Sequence, residues 1–225
     1  MMKFNMAMVC VLGGLLALGS LARAEVVGIV RASQVELGSI ENGEIVGLVT
    51  DAQGDAAWGD GVYKAEVVTA TASCRATQTS LAAAEGDSAV VTGSMTIDCD
   101  QSAAGVHTFI HAWSSVIAAM DVAAGIELRF TGAMSEGAHV SYGFRNASSG
   151  AWTFGNLPSV EGPFTYAVVL PEAGIYELSV FLDQLTNLGA VEARSMRMDF
   201  RLVAAPASGV DVQPASWSEV QAQWR

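Results

Sequence analysis

The feature that most restricts the fold of this chain is an alternation of apolar and polar residues with a period of two. It is clearest between residues 126 and 203, and it is also present in the segments 62–80, 88–100 and 106–117. Such alternation indicates half-buried β-strands, and no long stretch shows the 3.6-residue period of a helix. The later runs place these apolar sets on shared faces: Ile126, Leu128 and Phe130; Val140, Tyr142 and Phe144; Phe164, Tyr166, Val168 and Leu170; Tyr176, Leu178, Val180 and Leu182; Met196, Met198, Phe200 and Leu202.

Eight or more strands with one apolar face each must pack sheet against sheet. Short segments rich in Gly, Ser, Asn, Asp and Pro separate them, as is typical of turns. The pattern therefore predicts an all-β fold, an antiparallel two-sheet β-sandwich that is jelly-roll-like. Residues 25–60 are less regular, with an early strand at "EIVGLVT".

The N-terminus has the layout of a secretory signal peptide. Lys3 precedes an apolar run over residues 6–18, and Ala22-Arg23-Ala24 forms a small-x-small cleavage site. We expect residues 1–24 to be removed and the protein to be secreted, to the periplasm, the cell surface or the medium. The apolar run is shorter than the roughly 20 residues of a spanning helix. We therefore expect no membrane span after signal removal.

The remaining chain divides into a β-sandwich domain at 25–203, a linker at 204–216 and a short amphipathic tail at 217–225. The linker is inferred from the composition of "AAPASGVDVQPAS". In the tail, Ser216 and Glu219 have capping-box spacing, and a helix would align Trp217, Val220 and Trp224 in one stripe. A C-terminal helical tail of this kind either docks on its own domain or serves as a recognition tail for a partner.

The charge balance limits the class of partner. Without Lys3 and Arg23, nine basic residues face 23 acidic ones, a net charge of −14. Such a chain repels phosphate backbones, and we expect no nucleic-acid binding.

Two cysteines remain after signal removal, Cys74 and Cys99. In "VVTATASCRATQ" the first shares a face with Val68, Ala70 and Ala72, and in "VVTGSMTIDCD" the second shares a face with Val91, Met95 and Ile97. Both thus point to an apolar side, and an oxidising compartment favours a disulfide between them. A redox-active pair would need C-x-x-C proximity, which is absent.

The segment 170–178, "LPEAGIYEL", lies before the last strands of the sandwich. Together with the signal peptide and the strand pattern over 62–203, it resembles exported bacterial β-sandwich proteins of the PEP-CTERM or biofilm-matrix kind. The resemblance implies an envelope or matrix protein. The chain departs from that family because it has no Pro-Glu-Pro anchor, apolar C-terminal helix or following basic cluster.

The segment "HTFIHAW" is the first candidate ligand-binding site. On a strand, His107, Phe109, His111 and Trp113 share one face. The two histidines could hold a metal such as zinc, with His139 as a third ligand, or the aromatic row could stack on sugar rings. The alternative is an amphipathic strand that packs its aromatics into the sandwich.

The segment "DAQGDAAWGDG" is the second candidate. We interpret it as an acidic, glycine-rich loop in which Asp51, Asp55 and Asp60 either bind calcium or form a solvated turn. We expect no bound cofactor, with calcium at these aspartates and zinc at the histidines as the alternatives.

No sequence motif indicates an enzyme: there is no G-x-S-x-G, H-E-x-x-H, Walker loop or dinucleotide fingerprint. The leading hypothesis is an exported, non-catalytic structural or adhesive protein whose partner is a polysaccharide or an envelope or matrix protein. The second is a carbohydrate-binding module, calcium-assisted or not, and the third is an extracellular hydrolase.

Overall fold

The structure is a computed structural model that describes residues 23–56, 60–103, 105–135, 138–147, 149–150, 152–157, 161–188 and 192–207. Regular structure in these residues is antiparallel β-strand in two sheets, which confirms the predicted β-sandwich. They contain no helix long and apolar enough for a membrane crossing. The predicted tail at 217–225 and all but the last two residues of the predicted signal peptide lie outside the described residues.

Twelve strands run through the described part of the chain, and most are longer than the usual length of about six residues. In chain order they are β1 (Ala24–Glu41), β2 (Glu44–Asp55), β3 (Asp60–Val68), β4 (Ala72–Glu85), β5 (Ser88–Gln101), β6 (Thr108–Val122), β7 (Ile126–Met134), β8 (His139–Asn146), β9 (Trp152–Leu157), β10 (Gly162–Val169), β11 (Gly174–Leu188) and β12 (Glu192–Pro206).

The last eight strands form one long β-hairpin wrapped over itself. β8 pairs with β9 at its tip, and β7 with β10, β6 with β11 and β5 with β12 follow toward its open end. Wrapping also brings β11 against β8 and β12 against β7. The resulting orders, β6-β11-β8-β9 and β5-β12-β7-β10, are those of a jelly roll.

The first four strands widen this jelly roll on one side. β1 and β2 extend the sheet of β6, here called sheet A, and β4 and β3 extend the sheet of β5, here called sheet B. Each sheet then has six strands. Sheet A ends at β2 and β9, and sheet B ends at β3 and β10.

The alternation predicted the sandwich interior in the second half of the chain. The inward sets of β7, β11 and β12 are each at most 6% exposed. Phe164, Tyr166 and Val168 of β10 are only partly buried, because β10 lies at a sheet edge, whereas Leu170 directly after the strand is buried. In β8, Phe144 packs against the core, whereas the side chains of Val140 and Tyr142 lie outside the described residues.

Three phenylalanines pack against one another on the inner face of sheet B near β10. The ring centroids of Phe130 and Phe164 are 5.0 Å apart, and those of Phe130 and Phe200 are 6.2 Å apart. Gly93 and Gly132 lie directly beside Phe200 on the two neighbouring strands. A Cβ at Gly93 would come within 2.6 Å of the Phe200 ring, and one at Gly132 within 2.6 Å of the Phe164 ring. The glycines therefore make room for the aromatic cluster.

At the other lateral side of the sandwich, where β1–β4 lie, the two sheets are closer together. The inward residues on this side include Ala65, Ala72, Ala76 and Ala112, all of them buried. Cα atoms of β4 come within 8 Å of those of β1 and β6, which is closer than the usual sheet separation of about 10 Å. Small side chains allow this approach.

A buried arginine lies in this thin region. Arg31 of β1 is 1% exposed, and its Nε donates a hydrogen bond of 2.6 Å to Ser80 Oγ. Its guanidinium carbon is 6.0 Å from the centroid of the Tyr63 ring, and the β1–β2 register sets Asp55 opposite Arg31. The Tyr63 hydroxyl donates to Asp55, which raises the pKa of that phenol above its ordinary value.

Cys74 and Cys99 form a disulfide, as predicted. They are direct partners on β4 and β5, with Cα atoms 4.0 Å apart, and both are buried. The run that was expected to continue from Val68 to Cys74 is instead divided by a turn at 69–71, where Thr69 Oγ1 caps the backbone of Ala72. Val68 is consequently 70% exposed.

Two expected boundaries differ from the structure. Within residues 25–60, which the sequence predicts to be less regular, positions 25–55 belong almost entirely to β1 and β2. At the other end β12 continues to Pro206 and Ala204 is fully buried, so the strand enters the predicted linker by three residues. Both differences arise because Ala-, Gly- and Pro-containing sequence was assigned to loops from its composition.

Candidate functional site

The "HTFIHAW" segment places its aromatic residues on the outside of sheet A. Within β6, Thr108, Ile110 and Ala112 are buried between the sheets, whereas Phe109, His111 and Trp113 alternate with them and are partly exposed. The interpretation that these aromatics pack into the sandwich is therefore wrong. Both faces of β6 are apolar enough that the alternation alone did not show which was inner. His107 lies just before the strand and is exposed.

His111 is the centre of a polar cluster on this face. Its Nδ1 is 3.3 Å from Glu36 Oε2 on β1, and its Nε2 is 3.4 Å from Asp183 Oδ1 on β11. Gln34 Nε2 donates a 2.7 Å hydrogen bond to the other oxygen of Glu36. His111 is thus held between carboxylates that come from the two strands flanking β6.

An aromatic depression adjoins this cluster. It has a volume of about 380 Å³ and is lined by His111, Trp113, Ser141, Phe181 and Asp183. Trp113 lies directly opposite Asp183 in the β6–β11 register, and the next outward pair is Ser115 with Phe181. Trp113 and Phe181 therefore occupy diagonal positions on neighbouring strands, close enough for one ligand to contact both.

The residues around the Phe181 side chain are small. Ala32 and Ser115 lie in the same cross-strand row as Phe181, and Ser141 lies on its other side. Beyond this row the outer face continues with Val30, which is 46% exposed. No described element lies over this face. We call these outward residues, Val30, Ala32, Trp113, Ser115, Ser141 and Phe181 with the His111 cluster, the aromatic face.

The outer face of sheet B differs and provides an internal comparison. The hydroxyls of Thr77 and Thr96 are hydrogen-bonded to each other across β4 and β5. Ion pairs join Glu66 to Lys64 and Arg75, and these cations lower the pKa of the Glu66 carboxyl below its ordinary value. Such polar pairs are typical of a solvated sheet face, although Val62 and Leu81 are exposed on it as well.

Most of the described part of the predicted calcium loop is β-strand. Asp51 and Asp55 are in β2, four residues apart on one extended strand and so about 13 Å from each other. Asp51 Oδ2 accepts a 2.8 Å hydrogen bond from the Glu66 backbone N–H, and Asp55 accepts one from Tyr63. Asp60 begins β3 in the other sheet. The three aspartates do not converge, and the first two have structural partners.

The predicted histidine metal site is not seen among the described side chains either. Both ring nitrogens of His111 face carboxylates, and His139 is opposite Asp183 in the β8–β11 register, with its side chain outside the described residues. Across the described residues, no three His, Cys, Asp or Glu side chains are grouped to hold a metal ion. Trp217, Val220 and Trp224 of the predicted recognition tail lie outside those residues.

Sequence reasoning missed Glu36, Phe181 and Asp183. A signal for two of them existed, because the alternation that buries Val180 and Leu182 directs Phe181 and Asp183 outward. Their neighbourhood with His111 depends on the pairing of β11 with β6, which local sequence does not encode. Glu36 was missed because β1 was not recognised as a long strand.

Comparison with known proteins adds little. No protein-family model matches the chain, and no curated protein matches it. A solved structure of the infectious bursal disease virus Gx strain is 11% identical at a TM-score of 0.23, covering 84% of this chain and 58% of that one. The GH31 alpha-xylosidase from Xanthomonas citri is 8% identical at a TM-score of 0.23, covering 77% and 28%. The chain thus spans less than two thirds of either protein, and similarity at this level carries no argument.

Proposed function

We propose that the protein is an exported, non-catalytic adhesive β-sandwich that binds carbohydrate through the aromatic face. The observation that carries the proposal is the placement of Trp113 and Phe181 on an uncovered outer sheet face, beside the polar cluster of His111, Glu36 and Asp183. Sugar rings offer apolar faces to aromatic side chains and hydroxyls to polar ones, and this site supplies both.

The charge of the protein favours particular glycans. The exported chain has a net charge of −14, and two carboxylates border the site. Anionic polysaccharides would be repelled, whereas neutral glycans and those with amino groups would not. The ligand class is therefore a neutral or amino-bearing polysaccharide.

The geometry of His111 supports binding rather than catalysis. In a Ser–His–Asp triad one imidazole nitrogen contacts a carboxylate and the other a nucleophilic hydroxyl. Here both nitrogens face carboxylates. Glu36 and Asp183 are also unsuited to glycoside cleavage together, because the imidazole occupies the space between them that a sugar and a water would need.

Export is the remaining part of the proposal. It rests on the signal-peptide pattern of residues 1–24 and agrees with the buried Cys74–Cys99 disulfide.

A second candidate is a structural envelope or matrix protein whose aromatic face contacts another protein. The exposed apolar side chains Val30 and Leu185 favour it, because they extend the apolar surface beyond the two aromatic residues. The two candidate functions can be distinguished experimentally, because only the carbohydrate-binding protein requires affinity for free oligosaccharide.

The decisive experiment measures binding of the exported chain to an array of neutral, amino-bearing and acidic polysaccharides, followed by titration of the best oligosaccharide. We expect Trp113→Ala and Phe181→Ala each to weaken that binding about tenfold or more, because each removes a stacking surface at the centre of the site. Thermal melts should show little change, since neither side chain is in the core.

Leu81→Ala is the matched control. Leu81 is a 46% exposed apolar residue on the outer face of sheet B, and its truncation should leave glycan affinity unchanged. Absence of binding to every glycan tested, with Trp113→Ala instead losing a co-purifying protein, would replace the proposal with the structural alternative.

A further inference from the structure

The two lateral sides of the sandwich differ in how their edge strands are protected. On one side β2 and β3 are bridged by side chains. The backbone N–H of Lys64 donates to Gln53 Oε1 at 3.2 Å, and that of Glu66 donates to Asp51 Oδ2 at 2.8 Å. These contacts occupy donors that the edge of sheet B would otherwise present to another strand.

The opposite edge of sheet B, β10, has the sequence "GPFTYAVV" and no acidic or basic residue. Charged side chains, lysine above all, and proline are the usual protections of an edge strand against pairing with another chain, and β10 has only Pro163 near its start. No described strand pairs with the outer side of β10. An uncharged strand of eight residues whose outer side is unpaired among the described strands is a template for strand addition.

The directions of its backbone groups follow from one hydrogen bond. Leu170, the residue after β10, donates its N–H to the Ile126 carbonyl of β7 at 2.8 Å. N–H directions alternate along a strand, so the even-numbered residues face β7 and the odd-numbered ones face outward. The outward N–H donors are those of Thr165, Ala167 and Val169.

Pro163 occupies the remaining odd position of β10. It has no N–H, and proline within a sheet is confined to positions whose N–H side faces away from the ladder. Its place in the sequence agrees with the outward direction deduced from Leu170.

We propose that β10 is a self-association edge, to which β10 of a second copy adds in antiparallel orientation so that the two B sheets become one. A two-fold axis at Tyr166 sets Thr165 of one copy opposite Ala167 of the other. Pro163 is then opposite Val169, and roughly six backbone hydrogen bonds form across the junction.

The uncharged sequence of β10 and its self-complementarity favour a second copy as the occupant. Two exported chains of net charge −14 repel each other through most of their surfaces. At β10 this repulsion is weaker, because the strand is uncharged and Glu127 of neighbouring β7 is paired with Arg129, although Glu161 directly before the strand is a nearby exposed acid. The strand is also complementary to itself, since the same residues supply donors and acceptors on both sides of the axis.

The test is sedimentation velocity of the exported chain over a wide concentration range, with amide hydrogen exchange at residue resolution. We expect a monomer–dimer equilibrium and slower exchange at Thr165, Ala167 and Val169 as the concentration rises. Thr165→Pro removes an outward donor without affecting the bonds to β7, and should weaken the dimer at least tenfold. Thr165→Lys keeps every backbone group and places a charge at the edge, so it should act in the same direction.

Val62→Pro is the matched control. Lys64 and Glu66 direct their N–H groups away from β4, so that of Val62 also points outward, and Val62 is 74% exposed. This variant should keep the wild-type dimer. A chain that stays monomeric at all concentrations, or a dimer that persists in both Thr165 variants, would overturn the proposal. Capture of a different protein that depends on Thr165 while the chain itself is monomeric would also overturn it.

Discussion

Arg31 is the residue whose position the sequence pattern explains least. A guanidinium removed from water costs several kcal/mol unless hydrogen bonds and opposite charge compensate for it. Ser80 and the Tyr63 ring contact Arg31, and Asp55 lies opposite it in the strand register. The interior of the sandwich therefore contains a polar cluster on its thin side, near β1–β4, and packed phenylalanines on its other side, near β10.

We predict that Arg31→Met lowers the free energy of unfolding by about 2–3 kcal/mol, because Ser80 loses its donor and Asp55 its facing cation. Urea unfolding at neutral pH measures this change. Arg201→Met is the control. Arg201 pairs with Glu85 on the exposed face of sheet B, so its loss should cost less than about 0.5 kcal/mol. Equal effects of the two substitutions would show that burial of Arg31 is not important for stability.

At the scale of single residues, the candidate site was only partly predictable from the sequence. The common face of Phe109, His111 and Trp113 follows from alternation within one strand, which is local information. Their contacts with Glu36 and Asp183 depend on β1 and β11 being the neighbours of β6. Strand neighbours more than 60 residues away in sequence cannot be derived from a single local pattern.

At the scale of elements, strands β2 and β3 show that amino-acid composition can wrongly predict a loop. The segment "DAQGDAAWGDG" reads as a loop, yet Gly54 is in β2, where a Cβ would approach the Arg31 carbonyl oxygen to 2.5 Å. Glycine is needed there for close approach of two backbones, not for a turn. Asp51 and Gln53 face inward along the same strand and bridge to β3.

We predict that the double substitution Asp51→Ala and Gln53→Ala destabilises the domain by about 1–2 kcal/mol, because two backbone donors of β3 lose their acceptors. It should also promote association through the newly open edge. Chemical unfolding and light scattering measure the two effects. Asp51→Asn retains an acceptor oxygen and serves as the control; if it is as damaging as the double alanine variant, the hydrogen bonds are not the cause.

At the scale of the whole molecule, the sandwich class was predictable and the strand order was not. Alternation predicts many half-buried strands, and such strands must pack in two layers. The wrapping of β5–β12 depends on long-range pairs such as β5 with β12, which no local pattern indicates. The sequence offers one covalent indication of strand pairing, and it concerns β4 and β5.

That indication is the Cys74–Cys99 disulfide, which closes a 25-residue separation between paired strands. We predict that Cys74→Ala with Cys99→Ala lowers the free energy of unfolding by about 3 kcal/mol on the chain-entropy model, and the melting temperature by about 6–12 °C. Added reductant should lower the wild-type value and leave that of the double variant unchanged. Thiol titration of the exported, unfolded chain should find no free thiol; two titratable thiols per chain would contradict the prediction.

The wrapped hairpin also determines when folding can finish. β11 lies between β6 and β8, and β12 lies between β5 and β7, so neither sheet has a continuous middle until residues 174–206 are present. Pairing of this kind gives a high contact order and slow folding. A chain that crosses a membrane with its N-terminus first would therefore remain open until nearly all of it had emerged. If the chain is exported in this way, the topology would delay closure of the domain until translocation is nearly complete.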